Sequence, residues 1–90
     1  MTYVEMKTRL LKIAIRCAEC GPGSAQQSVV FCELRQGLAI EKAQVDVAFE
    51  RVVLTCWHDL FRDGELAWGT DFDNPGPPFY HIPNRKYRSS

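Results

Sequence analysis

The chain has 90 residues, 46% of them hydrophobic and 24% charged, a balance that belongs to a folded domain and excludes intrinsic disorder. A chain of this length supports one core and therefore one domain, and no apolar run approaches the roughly 18–20 residues needed to cross a membrane. Eleven cations balance eleven carboxylates, but unevenly: residues 1–40 hold five against three, residues 41–73 three against eight, and Arg85, Lys86 and Arg88 make the end basic.

Met1 to Lys7 lack the basic, apolar and small-residue order of a signal peptide, so the expected setting is cytoplasmic, without a membrane partner. In that setting Cys17, Cys20, Cys32 and Cys56 read as reduced thiols rather than a disulfide frame.

Tyr3, Met6, Leu10, Ile13, Ala14 and Cys17 recur at steps of three and four, with Lys7, Arg9, Lys12 and Arg16 largely off that stripe, which predicts an amphipathic first helix. Gly21-Pro22-Gly23 ends it. Ser24, three residues before Gln27, has the spacing of a capping box, so a second helix is expected to start there and stop at Gly37, although Val29-Val30 keeps a strand in contention.

Leu38-Ala39-Ile40 reads as a connector or short strand. From about Ala43, a third helix of about 19 residues carries Val45, Ala48, Phe49, Val52, Val53, Cys56, Trp57, Leu60 and Phe61 on a wide apolar face. Asp63-Gly64 closes it. Glu65 to Thr70 alternates as a strand, Asp73 to Pro78 is a dense turn signal, and Phe79 to Ile82 reads as the returning strand of a hairpin. The expected fold is α+β, mainly α: a three-helix core with a C-terminal β-hairpin over residues 1–83, followed by a flexible basic tail over 84–90.

Helix, helix, long helix and hairpin is the plan of the winged helix-turn-helix. The stretch from Asp63 to Ile82, with its Leu66-Ala67-Trp68-Gly69 strand, Asp73-Asn74-Pro75 tip and Pro77-Pro78-Phe79 return, resembles the helix end and wing of small bacterial winged-helix proteins. The resemblance covers residues 44–82 well and residues 1–40 only in layout. It implies a three-helix core with a wing; such proteins occur as small regulators and as modules of larger bacterial assemblies, including defence systems. The link from Gly37 to the third helix departs from that pattern, being longer than a standard three- or four-residue turn.

Protein binding is the function that the charges favour, through a partner protein or a second copy of the chain. The expected surface is the polar face of the third helix, Asp46, Glu50, Arg51, Asp59 and Arg62, with Phe72, Asp73 and Asn74 at the wing tip. Trp57, Phe72, Phe79 and Tyr80 are more aromatics than so small a core readily absorbs, which points to exposed rings at an interface; the alternative is that Trp57, Trp68 and Phe79 pack between hairpin and helix, which is the expectation for Trp68 and Phe79. The alternative is a small DNA-binding regulator, which would have to use Lys7, Lys12, Arg16, Arg85, Lys86 and Arg88, because the acidic third helix and wing repel phosphate. A remote alternative is a zinc-stabilised domain in which the Cys17/Cys20 spacing supplies two thiolates and Cys32, Cys56 or His58 the rest, but no second pair completes a site and Cys17, Cys32 and Cys56 fall on apolar stripes, so no metal or other cofactor is expected. His58-Asp59 and His81 lack a nucleophile in a recognisable context and no phosphate-binding glycine loop is present, so no catalytic residues and no small-molecule substrate are expected.

Overall fold

A computed structural model describes residues 2–83. The elements in order are helix α1 (Tyr3–Cys20), a single 3-10 turn (Pro22–Ser24), helix α2 (Gln27–Ile40), helix α3 (Val47–Arg62) and the short strands β1 (Ala67–Trp68) and β2 (Tyr80–His81). The strands pair antiparallel, with Ala67 opposite His81 and Trp68 opposite Tyr80. The fold is therefore α+β, mainly α, and its layout is compatible with a winged helix.

The first helix is fixed at its start by a complete capping box in which Thr2 and Glu5 satisfy each other's backbone donors. Its stripe of Met6, Leu10, Ile13, Ala14 and Cys17 is buried as the spacing predicts. The capping box expected at Ser24 and Gln27 does not form: Ser24 lies in the 3-10 turn and the helix begins after Gln26, which makes no side-chain cap. The Gln27 amide nitrogen instead donates to the Pro78 carbonyl at 3.0 Å. Tyr80 N donates to the Ala25 carbonyl, and Gln26 forms an isolated bridge with Phe79. The link between α1 and α2 thus acts as a third, minimal strand beside the hairpin.

Helix α2 runs through Gly37 to Ile40, so the expected stop at Gly37 and the connector at Leu38-Ala39-Ile40 are both corrected. Gly37 serves a close approach: a Cβ there would lie 3.0 Å from the Arg9 guanidinium. The true end is a Schellman motif, with Ala43 N bonded to Leu38 O and Lys42 N to Ala39 O. Lys42 occupies its left-handed position at φ 56°, where the corresponding residue after α3 is Gly64 at φ 79°. Helix α3 starts at Val47 rather than Ala43 and has 16 residues, because the Asp46 carboxylate caps it by accepting from Phe49 N at 2.8 Å.

The core closes around Trp57, which is wholly buried. Its indole meets Phe31, Phe61, Trp68 and Tyr80 edge-on at centroid distances of 5.1–6.3 Å, a geometry aromatic quadrupoles favour. Its N–H donates to the Gln27 side-chain oxygen at 3.2 Å, and Phe61 stacks on Trp68 at 4.0 Å. Tyr80 is equally buried and its hydroxyl donates to the Ala14 carbonyl at 2.6 Å, tying the hairpin to α1. Trp57 and Tyr80 are therefore core rings, not the exposed aromatics anticipated. The strand expected over Glu65 to Thr70 shrinks to two residues, though Leu66 is buried and Trp68 packs on the core as the alternation requires.

A non-glycine residue in the left-handed region costs roughly 1–2 kcal/mol, so Lys42→Gly should raise stability by about 1 kcal/mol. Tyr80→Phe, which removes one buried hydrogen bond, should lower it by about 1 kcal/mol. Urea denaturation of both variants checks the two signs; a destabilised Lys42→Gly would contradict the assigned helix end.

Candidate functional site

The residues expected to form the interaction surface are differently employed. Asp46 is the α3 cap. Asp59 is largely covered, its side chain 15% exposed; it accepts from the Tyr3 hydroxyl and pairs with Arg62 at 3.3 Å. Arg62 also reaches Asp63. Arg51 is exposed on the outer face. The expected acidic face is thus partly neutralised by contacts within the chain.

Cations of α1 are engaged in the same way. Lys7 pairs with Asp63, Arg9 makes a two-pronged contact with Glu41, and Arg16 pairs with Glu33 at 3.2 Å. The Lys7 ammonium, donating to Asp63, holds that carboxyl below the usual carboxylate range, and the Arg9 guanidinium does the same for Glu41. Lys7 and Arg16 are therefore not the free phosphate ligands anticipated, and Lys12 is the α1 cation without an ion pair among the described residues. Arg85, Lys86 and Arg88 lie outside the described residues.

At the wing, the Asp71 carboxylate accepts from the backbone nitrogens of Asp73 and Asn74 at 3.0 and 2.8 Å, and the Asn74 side-chain amide turns toward it at 3.4 Å. Thr70 N bonds to the Asn74 carbonyl and His81 Nδ1 lies 2.6 Å from the Gly69 carbonyl oxygen. Gly69 has φ 93°, and a Cβ there would fall 2.6 Å from the Pro75 carbonyl oxygen, so only glycine lets the loop close. Phe72 stands fully exposed on this loop. Asp73 is exposed beside it, whereas Asn74 is half-buried.

The thiols divide by burial: Cys17 and Cys56 are buried, with burial pushing both thiols up, while Cys20 and Cys32 are exposed. Cys32 is not the packed residue its apparent stripe suggested. Among the described residues no three His, Cys, Asp or Glu side chains converge as metal ligands, and no helix is long and apolar enough to cross a membrane.

The surface that the sequence reading missed is a shallow groove between α2 and α3 with about 110 Å³ of space. Phe31, Leu34 and Leu38 line it from α2; Val45, Phe49, Val53 and Leu54 line it from the link and α3. Its polar residues are Arg35 and Glu50, one on each wall. Within its lining Val45 is 45% and Leu54 42% exposed, and Val47, on the same face of α3 as Leu54, is 64% exposed. The available signal was that Val47 and Leu54 sit seven residues apart, two helical turns, and outside the stripe that reaches the core. More apolar residues than one helix face can bury mark a second contact.

Comparison with protein-family models, curated proteins and solved structures gives no match. What fold and surface define is a small α+β protein with a shallow apolar groove between α2 and α3, in whose lining Val45 and Leu54 remain exposed.

The ion pairs predict the acid behaviour. Because the folded values of Asp63 and Glu41 are depressed, their stabilisation is complete above about pH 4–5 and is lost as pH falls through the folded values. Replacing Lys7 and Arg9 with methionine should therefore make the melting temperature fall less steeply below about pH 5. An acid limb identical to the parent's would mean these pairs contribute nothing.

Proposed function

We propose that this chain is a non-enzymatic binding module of winged-helix type that works by contact with another protein, made through the groove between α2 and α3. The observation that carries this reading is an apolar groove whose lining leaves Val45 and Leu54 at least 40% exposed, with Val47, also exposed, on the same face of α3 as Leu54. Apolar side chains gathered in one place, rimmed by polar residues, are what protein interfaces have at their centres.

Electrostatics support the same choice over nucleic acid. The outward face of α3, which a winged helix would present to a major groove, carries Val47, Glu50, Arg51, Leu54, Thr55 and His58, and the wing tip carries Asp71 and Asp73. Affinity for DNA comes mainly from lysine and arginine on phosphates, and Lys7, Arg9 and Arg16 already have carboxylate partners. A small DNA-binding regulator is the alternative reading, supported by a layout compatible with a winged helix, in which Gln26 bridges Phe79 beside the hairpin.

Fluorescence anisotropy with a labelled mixed-sequence duplex at low salt separates the two. The protein reading expects no saturable binding across about 1–100 μM, the range in which sequence-independent DNA binders saturate. Saturation that weakens steeply with added salt would replace the protein partner with DNA.

A further inference from the structure

We infer that the partner seated on the α2–α3 groove is a second copy of this chain, related by a two-fold axis that brings the two α3 helices together antiparallel. The inference rests on the protein-binding reading and adds the occupant to it. Three observations converge on a self-complementary surface.

The first is the charge on the groove walls. Arg35 stands on α2 and Glu50 on α3, both facing the same groove, and neither has an ion-pair partner among the described residues. A partner of one sign would satisfy one wall and oppose the other. A two-fold axis satisfies both, because Arg35 of each copy then faces Glu50 of the other and every contact is made twice.

The second is the apolar stripe. Val47 and Leu54 lie two helical turns apart on α3, so in an antiparallel pair Val47 of one helix comes alongside Leu54 of the other at both ends of the contact. Two protruding aliphatic side chains are thereby each provided with an apolar neighbour, one at either end of a contact centred on Glu50 and Arg51.

The third is the absence of long-range opposition. The formal net charge is zero, so two copies approach without mutual repulsion, a condition that favours self-association. The wing lies apart from this groove, because its loop residues line none of its walls, and it stays free in the dimer.

Sedimentation velocity on the purified chain over about 1–200 μM tests this, a span that brackets micromolar association. The expected result is a concentration-dependent species of twice the chain mass. Leu54→Glu should leave a monomer with an undiminished melting temperature. Arg35→Glu and Glu50→Arg should each weaken the dimer by about tenfold or more through like-charge contacts, and the two together should restore it. A monomer at every concentration, or a dimer indifferent to all of these substitutions, overturns the inference. The DNA titration then distinguishes the failures: a monomer that ignores duplex DNA leaves the protein-binding reading standing with another occupant, and a monomer that binds it removes both.

Discussion

Trp57 contacts four rings, and they come from four elements: Phe31 from α2, Phe61 from α3 itself, Trp68 from β1 and Tyr80 from β2. A chain this small has little core to spare, and one indole provides the common surface on which the hairpin and two helices agree. Its N–H bond to Gln27 and the Tyr80 hydroxyl bond to Ala14 add direction to a contact that area alone would leave free to slide. The hairpin itself has two residues per strand, far below what holds a hairpin together in water. It is placed by these rings and by the Gln27–Pro78 and Tyr80–Ala25 backbone bonds.

That demand shapes the surface. With Trp57, Phe61, Trp68 and Tyr80 drawn together under the wing, the α2–α3 groove is lined by Phe31, Phe49 and aliphatic residues, and Val45 and Leu54 stay exposed in it. The charges follow a parallel logic. A basic first helix and an acidic middle segment look like surfaces for two different partners when read along the chain. In space α1 lies against both α2 and α3: Lys7 to Asp63 and Arg9 to Glu41 join it to the acidic segment, and Arg16 to Glu33 joins it to α2, within one molecule.

Periodicity made the elements legible: the α1 stripe and the hairpin around Asp73 to Pro78 stand where spacing and turn chemistry put them, and Asp63-Gly64 closes α3 as expected. Boundaries that depend on a tertiary neighbour were not legible. Gly37 resembles a helix stop but lies within α2 with the Arg9 guanidinium close over it, while the actual stop uses Lys42 in a conformation that lysine does not advertise. Ser24 and Gln27 have capping-box spacing, yet Pro78 and Trp57 engage Gln27 first. Part of the candidate surface is engaged within the chain for a related reason: Asp46 is needed as a cap and Asp59 accepts from Tyr3, while Glu50 and Arg51 stay exposed. The apolar residues beyond the core stripe were the better guide.

On the proposed reading, what the protein contacts follows from where its aliphatic residues are left exposed. The most direct test is the amide nitrogen–proton correlation spectrum of the labelled chain recorded on serial dilution. Shifts concentrated at Arg35, Leu38, Glu50 and Leu54, with the amides of Trp68 to His81 unmoved, are the predicted result. Shifts confined to the wing around Phe72, or a spectrum that does not change at all, would contradict it.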